Sequence, residues 1–110
     1  MQFKQWDIVS VRILPTDRDK HPAIIFSPSE VASKSTRISV FYGSTKLPAR
    51  DAEPGQIMLN GADGLEHMTV FDVSHIFMIE RASIQDKIGE VSYERQRALK
   101  RLVISVYRLL

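Results

Sequence analysis

The sequence predicts a small, strongly bent barrel of short strands with one C-terminal helix. Short runs rich in β-branched and aromatic residues are separated by Gly- and Pro-punctuated turns, and only the last segment repeats apolar residues at three- and four-residue spacing. No strand-helix-strand alternation supports a doubly wound sheet. A chain of 110 residues suits one domain over residues 1–110, and 44% hydrophobic with 25% charged residues is globular rather than disordered composition.

Ile8 to Leu14 and Ala23 to Phe26 read as the first two strands. Between them, Pro15-Thr16-Asp17-Arg18-Asp19-Lys20-His21-Pro22 has no apolar periodicity and reads as a loop. Each Pro fixes its own φ and biases the preceding residue away from the helical region, so His21 is expected to be extended at the mouth of the second strand. The polar, Ser-rich PSEVASKST after Ser27 reads as a surface excursion. Thr36 to Tyr42 alternates as a strand, with Ile38, Val40 and Tyr42 on one side and Phe41 on the other, free to meet a second apolar layer or a partner. Gly43 to Gly55 reads as a long loop, Gln56 to Leu59 as a short strand, and Asn60 to Gly64 as a turn cluster whose glycines can take positive φ.

Met68 to Val73 and His75 to Ile79 read as further strands, and Arg81 to Ile88 is consistent with a helical turn or a loose connection. The helix is predicted from Ser92, a suitable N-cap, with Glu94 in the first turn and Ala98, Leu99, Leu102, Val103, Val106, Leu109 and Leu110 on its apolar side. If helical to Leu110 it spans roughly 28 Å at about 1.5 Å per residue, enough to cross the sheet or reach a dimer surface.

Cysteine is absent, which excludes disulfides and thiolate-ligated metals. His21, His67 and His75 lack paired-ligand spacing, so neither a metal nor another cofactor is expected. No signal peptide or run of 18 apolar residues is seen, and a soluble cytoplasmic protein is expected. The net charge of +2 is uneven, because Arg95, Arg97, Lys100, Arg101 and Arg108 face only Glu94 in the last 19 residues. Such a helix can meet RNA, an acidic protein or water.

Two polar segments carry chemistry. Arg18, Lys20 and His21 combine phosphate-attracting cations with a group that moves protons near neutral pH. The simpler reading is a solvated turn neutralised by Asp17 and Asp19. Gly43-Ser44-Thr45-Lys46 follows a strand and offers hydroxyls and a cation to a phosphate oxygen, although the Gly-rich run of a Walker loop is missing and an ordinary turn is the alternative. If the two segments converge, they suit RNA cleavage by the internal 2′-hydroxyl, which needs orientation, proton transfer and charge stabilisation but no metal.

The order of features resembles the PemK/MazF family of toxins from type II toxin-antitoxin systems. The matching pieces are Gln5-Trp6-Asp7-Ile8-Val9-Ser10-Val11, Pro15-Thr16, His21-Pro22-Ala23-Ile24-Ile25-Phe26-Ser27, Val40 to Thr45, Pro54-Gly55-Gln56-Ile57-Met58-Leu59, and Gly89-Glu90-Val91-Ser92 opening the last helix. The resemblance implies an SH3-like barrel of antiparallel strands, mainly β, with a C-terminal helix. It also implies a homodimer, single-stranded RNA as substrate, 2′,3′-cyclic phosphate and 5′-hydroxyl products, and a small antitoxin partner with a flexible acidic segment.

On that resemblance the expected catalytic residues are His21, Arg18 and Ser44, with Lys20, Thr45, Lys46 and Arg50 binding substrate. His21 stands where the family has Arg, and Ser44 where it has Thr. An imidazole transfers protons but cannot make the bidentate phosphate contact of a guanidinium, for which Arg18 is the available substitute. The alternative reading is a catalytically inactive, toxin-like module that recognises an antitoxin or another protein.

Overall fold

A computed structural model describes residues 2–12, 20–45 and 52–109. Seven strands form one curled antiparallel sheet: β1 Asp7–Val11, β2 His21–Ile25, β3 Arg37–Ser44, β4 Gln56–Leu59, β5 Thr69–Asp72, β6 Phe77–Glu80 and β7 Ile84–Glu90. Helix α1 (Ser29–Lys34) joins β2 to β3, and α2 (Tyr93–Tyr107) follows β7. The strand order is β4-β5-β3-β2-β1-β7, with β6 also pairing β3. The result is the expected small SH3-like fold, a half-barrel with a C-terminal helix.

The sheet buries apolar side chains on both faces because successive residues of a strand point to opposite sides. Ile8, Ile24, Phe41, Leu59 and Phe71 form one core with Leu99 and Val103 of α2. Val9, Val11, Ala23, Ile25, Ile38 and Val40 form the other with Ala32 of α1 and Ile79 of β6. Phe41 is fully buried in the first core, its ring 4.8 Å from that of Phe26, so the second apolar layer expected for it lies within the chain.

Trp6 packs at the start of β1 with φ of 74°, where a non-glycine residue costs roughly 1–2 kcal/mol. Its burial and two backbone bonds hold that conformation: its N–H donates to Ile25 O at 2.8 Å and its carbonyl accepts from Val91 N at 2.9 Å. The predicted turn at Asn60–Gly64 is present, with Gly64 at φ of 84°.

Away from the polar strand ends, three expectations change. The excursion after Ser27 contains helix α1, begun after Pro28 without a side-chain cap. Of Arg81 to Ile88, expected as a helical turn or a loose connection, Arg81–Ser83 is a helical turn, and the rest belongs to strand β7 against β1. Helix α2 ends at Tyr107 because Arg108 takes the left-handed conformation at φ of 51°. Ser92 does cap α2, its hydroxyl accepting from Arg95 N at 3.4 Å. The proposed strand end at 13–14 and most of the charged loop lie outside the described residues.

Candidate functional site at the sheet rim

His21 is the first residue of β2 rather than part of a loop, and it pairs with Val11. Ser44 is the last residue of β3, which runs two residues past the predicted strand. β2 and β3 pair in the register Ala23↔Tyr42, Ile24↔Phe41 and Ile25↔Val40. The β2–β3 pairing ends at Ala23↔Tyr42, and Gly43 and Ser44 pair instead with Phe71 and Val70 of β5. By strand alternation His21 shares a face with Ala23, and Ser44 with Tyr42, so both belong to one side of the sheet. Both residues are half-buried.

This outer face also carries an aromatic cluster that the sequence reading did not single out. Tyr42 lies 4.9 Å from the ring of Phe77, and Phe77 lies 6.3 Å from His75. Burial raises the phenol pKa of Tyr42, whereas Phe77 is 46% exposed. His75 Nδ1 lies 3.8 Å from Asp72 Oδ2, a loose contact, and Asp72 Oδ1 accepts from Ser74 N at 2.8 Å.

Lys20 and Thr45, the chain neighbours of His21 and Ser44, line the other side of the rim, a groove of about 630 Å³. Pro22, Ser10 and Asp86 form a row across its floor because Ser10 pairs with Pro22 on one side and Asp86 on the other. The segment Gly64–His67 makes the opposite wall. Lys20 Nζ meets Asp86 Oδ2 at 3.3 Å. Both groups are substantially exposed, so this pair contributes little stability.

A buried carboxylate fixes that wall. Asp63 accepts from Ser92 N at 2.8 Å and Asn60 N at 3.1 Å, and Arg95 Nε lies 3.4 Å away. Arg95 also donates to Met58 O at 2.6 Å. A second buried carboxylate, Asp7, accepts from Lys4 N at 2.9 Å and pairs with Lys87 at 3.2 Å. Hydrogen bonding to Glu90 is the largest cause raising the Lys87 pKa, and the same bond lowers that of Glu90.

The sequence-predicted residues therefore divide between two faces: His21 and Ser44 outside, Lys20 and Thr45 in the groove. Arg18, Lys46 and Arg50 lie outside the described residues. Among the described residues, no three His, Asp or Glu side chains gather as a metal site, and no helix is long and apolar enough to cross a membrane.

The curled sheet, its terminal helix and polar strand ends define a small SH3-like barrel protein. A family model described as PemK-like, MazF-like toxin of type II toxin-antitoxin system matches residues 4–107, and the chain belongs to that family. Among solved structures it is similar to Mycobacterium tuberculosis toxin MazF-mt6, with a TM-score of 0.75 and 15% identity over 93% of this chain and 96% of that one. It is also similar to an endoribonuclease in complex with its cognate antitoxin from a mycobacterial species, with a TM-score of 0.75 and 11% identity over 96% and 93% of the two chains. MazE-MazF (Form-II) from Deinococcus radiodurans gives a TM-score of 0.75 and 12% identity over 97% and 96%. No curated protein matches at the sequence level.

Proposed function

We propose that this chain is an endoribonuclease toxin that cuts single-stranded RNA without a metal, leaving a 2′,3′-cyclic phosphate and a 5′-hydroxyl. The observation that supports the reading is the β2–β3 register, from which strand alternation puts the strand ends bearing His21 and Ser44 on one side of the sheet. Family membership adds the class of activity.

The 2′-oxygen attacks the adjacent phosphorus while the bond from phosphorus to the 5′ oxygen breaks. One proton leaves the 2′-hydroxyl and one is delivered to the departing oxygen. His21 is the proton-transfer group, Arg18 offsets charge on the phosphoryl oxygens, and Ser44 orients the phosphate. Lys20, Thr45, Lys46 and Arg50 hold the flanking strand. Tyr42 and Phe77 provide rings on which a base can stack beside the phosphate.

The partner is a small antitoxin. The exposed Arg97, Lys100 and Arg101 of α2 suit its acidic segment, and a homodimer is the working assembly.

The test is incubation of purified protein with single-stranded RNA in excess EDTA, with the product ends identified. Cleavage should persist in EDTA and fall by roughly 10²–10⁴ in His21→Ala, the usual contribution of one acid-base group. Equal cleavage by both proteins rules out an essential His21. Half-buried His21 in place of the family's Arg favours one second reading, the inactive binding module. RNA left intact by the wild type, with retained capture of an acidic antitoxin, supports that reading.

A further inference from the structure

The groove floor contains an unsatisfied polar group. Ser10 is 6% exposed and its hydroxyl oxygen is buried without a hydrogen-bond partner among the described residues, although the residue lines the groove. A buried hydroxyl without a partner is costly. Its single side-chain torsion has staggered alternatives through which a ligand in the groove can meet the hydroxyl. Beside it stands Asp86, whose bond to Lys20 uses Oδ2. The apolar surfaces of Pro22, Leu65 and Ile88 flank the two polar groups. Apolar walls with one hydroxyl and one carboxylate suit a nucleobase better than a phosphate, which Asp86 and Glu66 repel.

We propose that this groove is a base-selecting subsite for RNA, in which Asp86 accepts from an exocyclic amine and Ser10 donates to the neighbouring ring nitrogen or carbonyl oxygen. The inference rests on the ribonuclease reading and deepens it. Lys20 and Thr45 line the groove while His21 and Ser44 occupy the opposite face, so a strand crossing the rim presents a phosphate to one side and an adjacent base to the other. Cytosine, adenine and guanine carry the required amine. Uracil offers only an imide N–H between two carbonyl oxygens, which face the carboxylate unfavourably.

The experiment has two arms. Backbone amide shifts are followed during titration with cytidine, adenosine, guanosine and uridine, and cleavage is measured on uridine-rich oligonucleotides containing one cytidine or adenosine. Amine-bearing nucleosides should bind roughly 5–100-fold more tightly than uridine and shift the amides of Ser10 and Asp86. Ser10→Ala should weaken their binding about 2–10-fold, and Asp86→Asn about 10–100-fold, with Ser10→Ala keeping or raising the melting temperature. Equal affinity for all four nucleosides, or shifts confined to the outer face, overturns the proposal. Cleavage with no base preference removes the subsite and leaves the nuclease. Selective nucleoside binding by a chain that cuts no RNA removes the nuclease and leaves the subsite.

Discussion

The two faces of the rim are built differently. On the groove side, Pro22, Ser10 and Asp86 come from three paired strands, and the facing wall is tied through Asp63 to the first turn of α2. On the outer side, His21 and Ser44 stand at strand ends beside a partly exposed aromatic cluster. A ladder floor and buried charge fix positions to fractions of an ångström, which suits discrimination between ligands. Strand ends leave side chains accessible to a long substrate, which suits reaction.

The strongest way to break that contrast is Asp63→Ala. It leaves Arg95 without its carboxylate and the Ser92 and Asn60 amides without their acceptor, a loss on the order of 3–5 kcal/mol. A urea titration should show a lower midpoint at unchanged slope. Asp63→Asn, which preserves shape and one acceptor oxygen, should fall between wild type and Ala. If both variants match the wild type, Asp63 does not hold the groove wall.

A smaller perturbation acts at the strand that serves both faces. Gly43 lies between Tyr42 and Ser44, and a Cβ there would come within 2.6 Å of the Phe71 ring, which is fully buried. Gly43→Ala should cost roughly 1–3 kcal/mol through overpacking and lower cleavage by displacing Ser44. Gly61→Ala is the matching control, because nothing lies within 4 Å of its added methyl. Equal melting temperatures for the two variants would show that Phe71 yields freely.

What could be read in advance follows the same division. Helix α2 was legible because its cap and apolar spacing are local, and the Asn60–Gly64 turn because glycine marks positive φ. Helix α1 was not, since its six residues follow Pro28 with no side-chain cap and bury only Ala32. Strand β7 was obscured because most of its side chains are exposed, and its pairing with β1 is broken by two register shifts. His21 and Ser44 were nominated from polar segments at strand ends. Ser10 and Asp86 were not, because a serine in an apolar run and an aspartate in a polar one gain meaning only when the ladder sets them side by side.

The mildest test concerns how α2 is fastened over the groove-side core. Tyr107 donates its hydroxyl to Val73 O at 2.6 Å, just beyond the end of β5. Burial, and then the charge of Asp72, raise its pKa above the ordinary 10.0. The folded state therefore favours the protonated phenol: its contribution is complete below the unfolded pKa and disappears as pH rises through the folded value. Tyr107→Phe should cost about 1 kcal/mol near neutral pH, the usual net value of one hydrogen bond. The difference between the two proteins should shrink above pH 10 as the wild type loses this contribution. A gap that stays constant through the alkaline range would show that the protonation of the Tyr107 phenol is not what fastens α2.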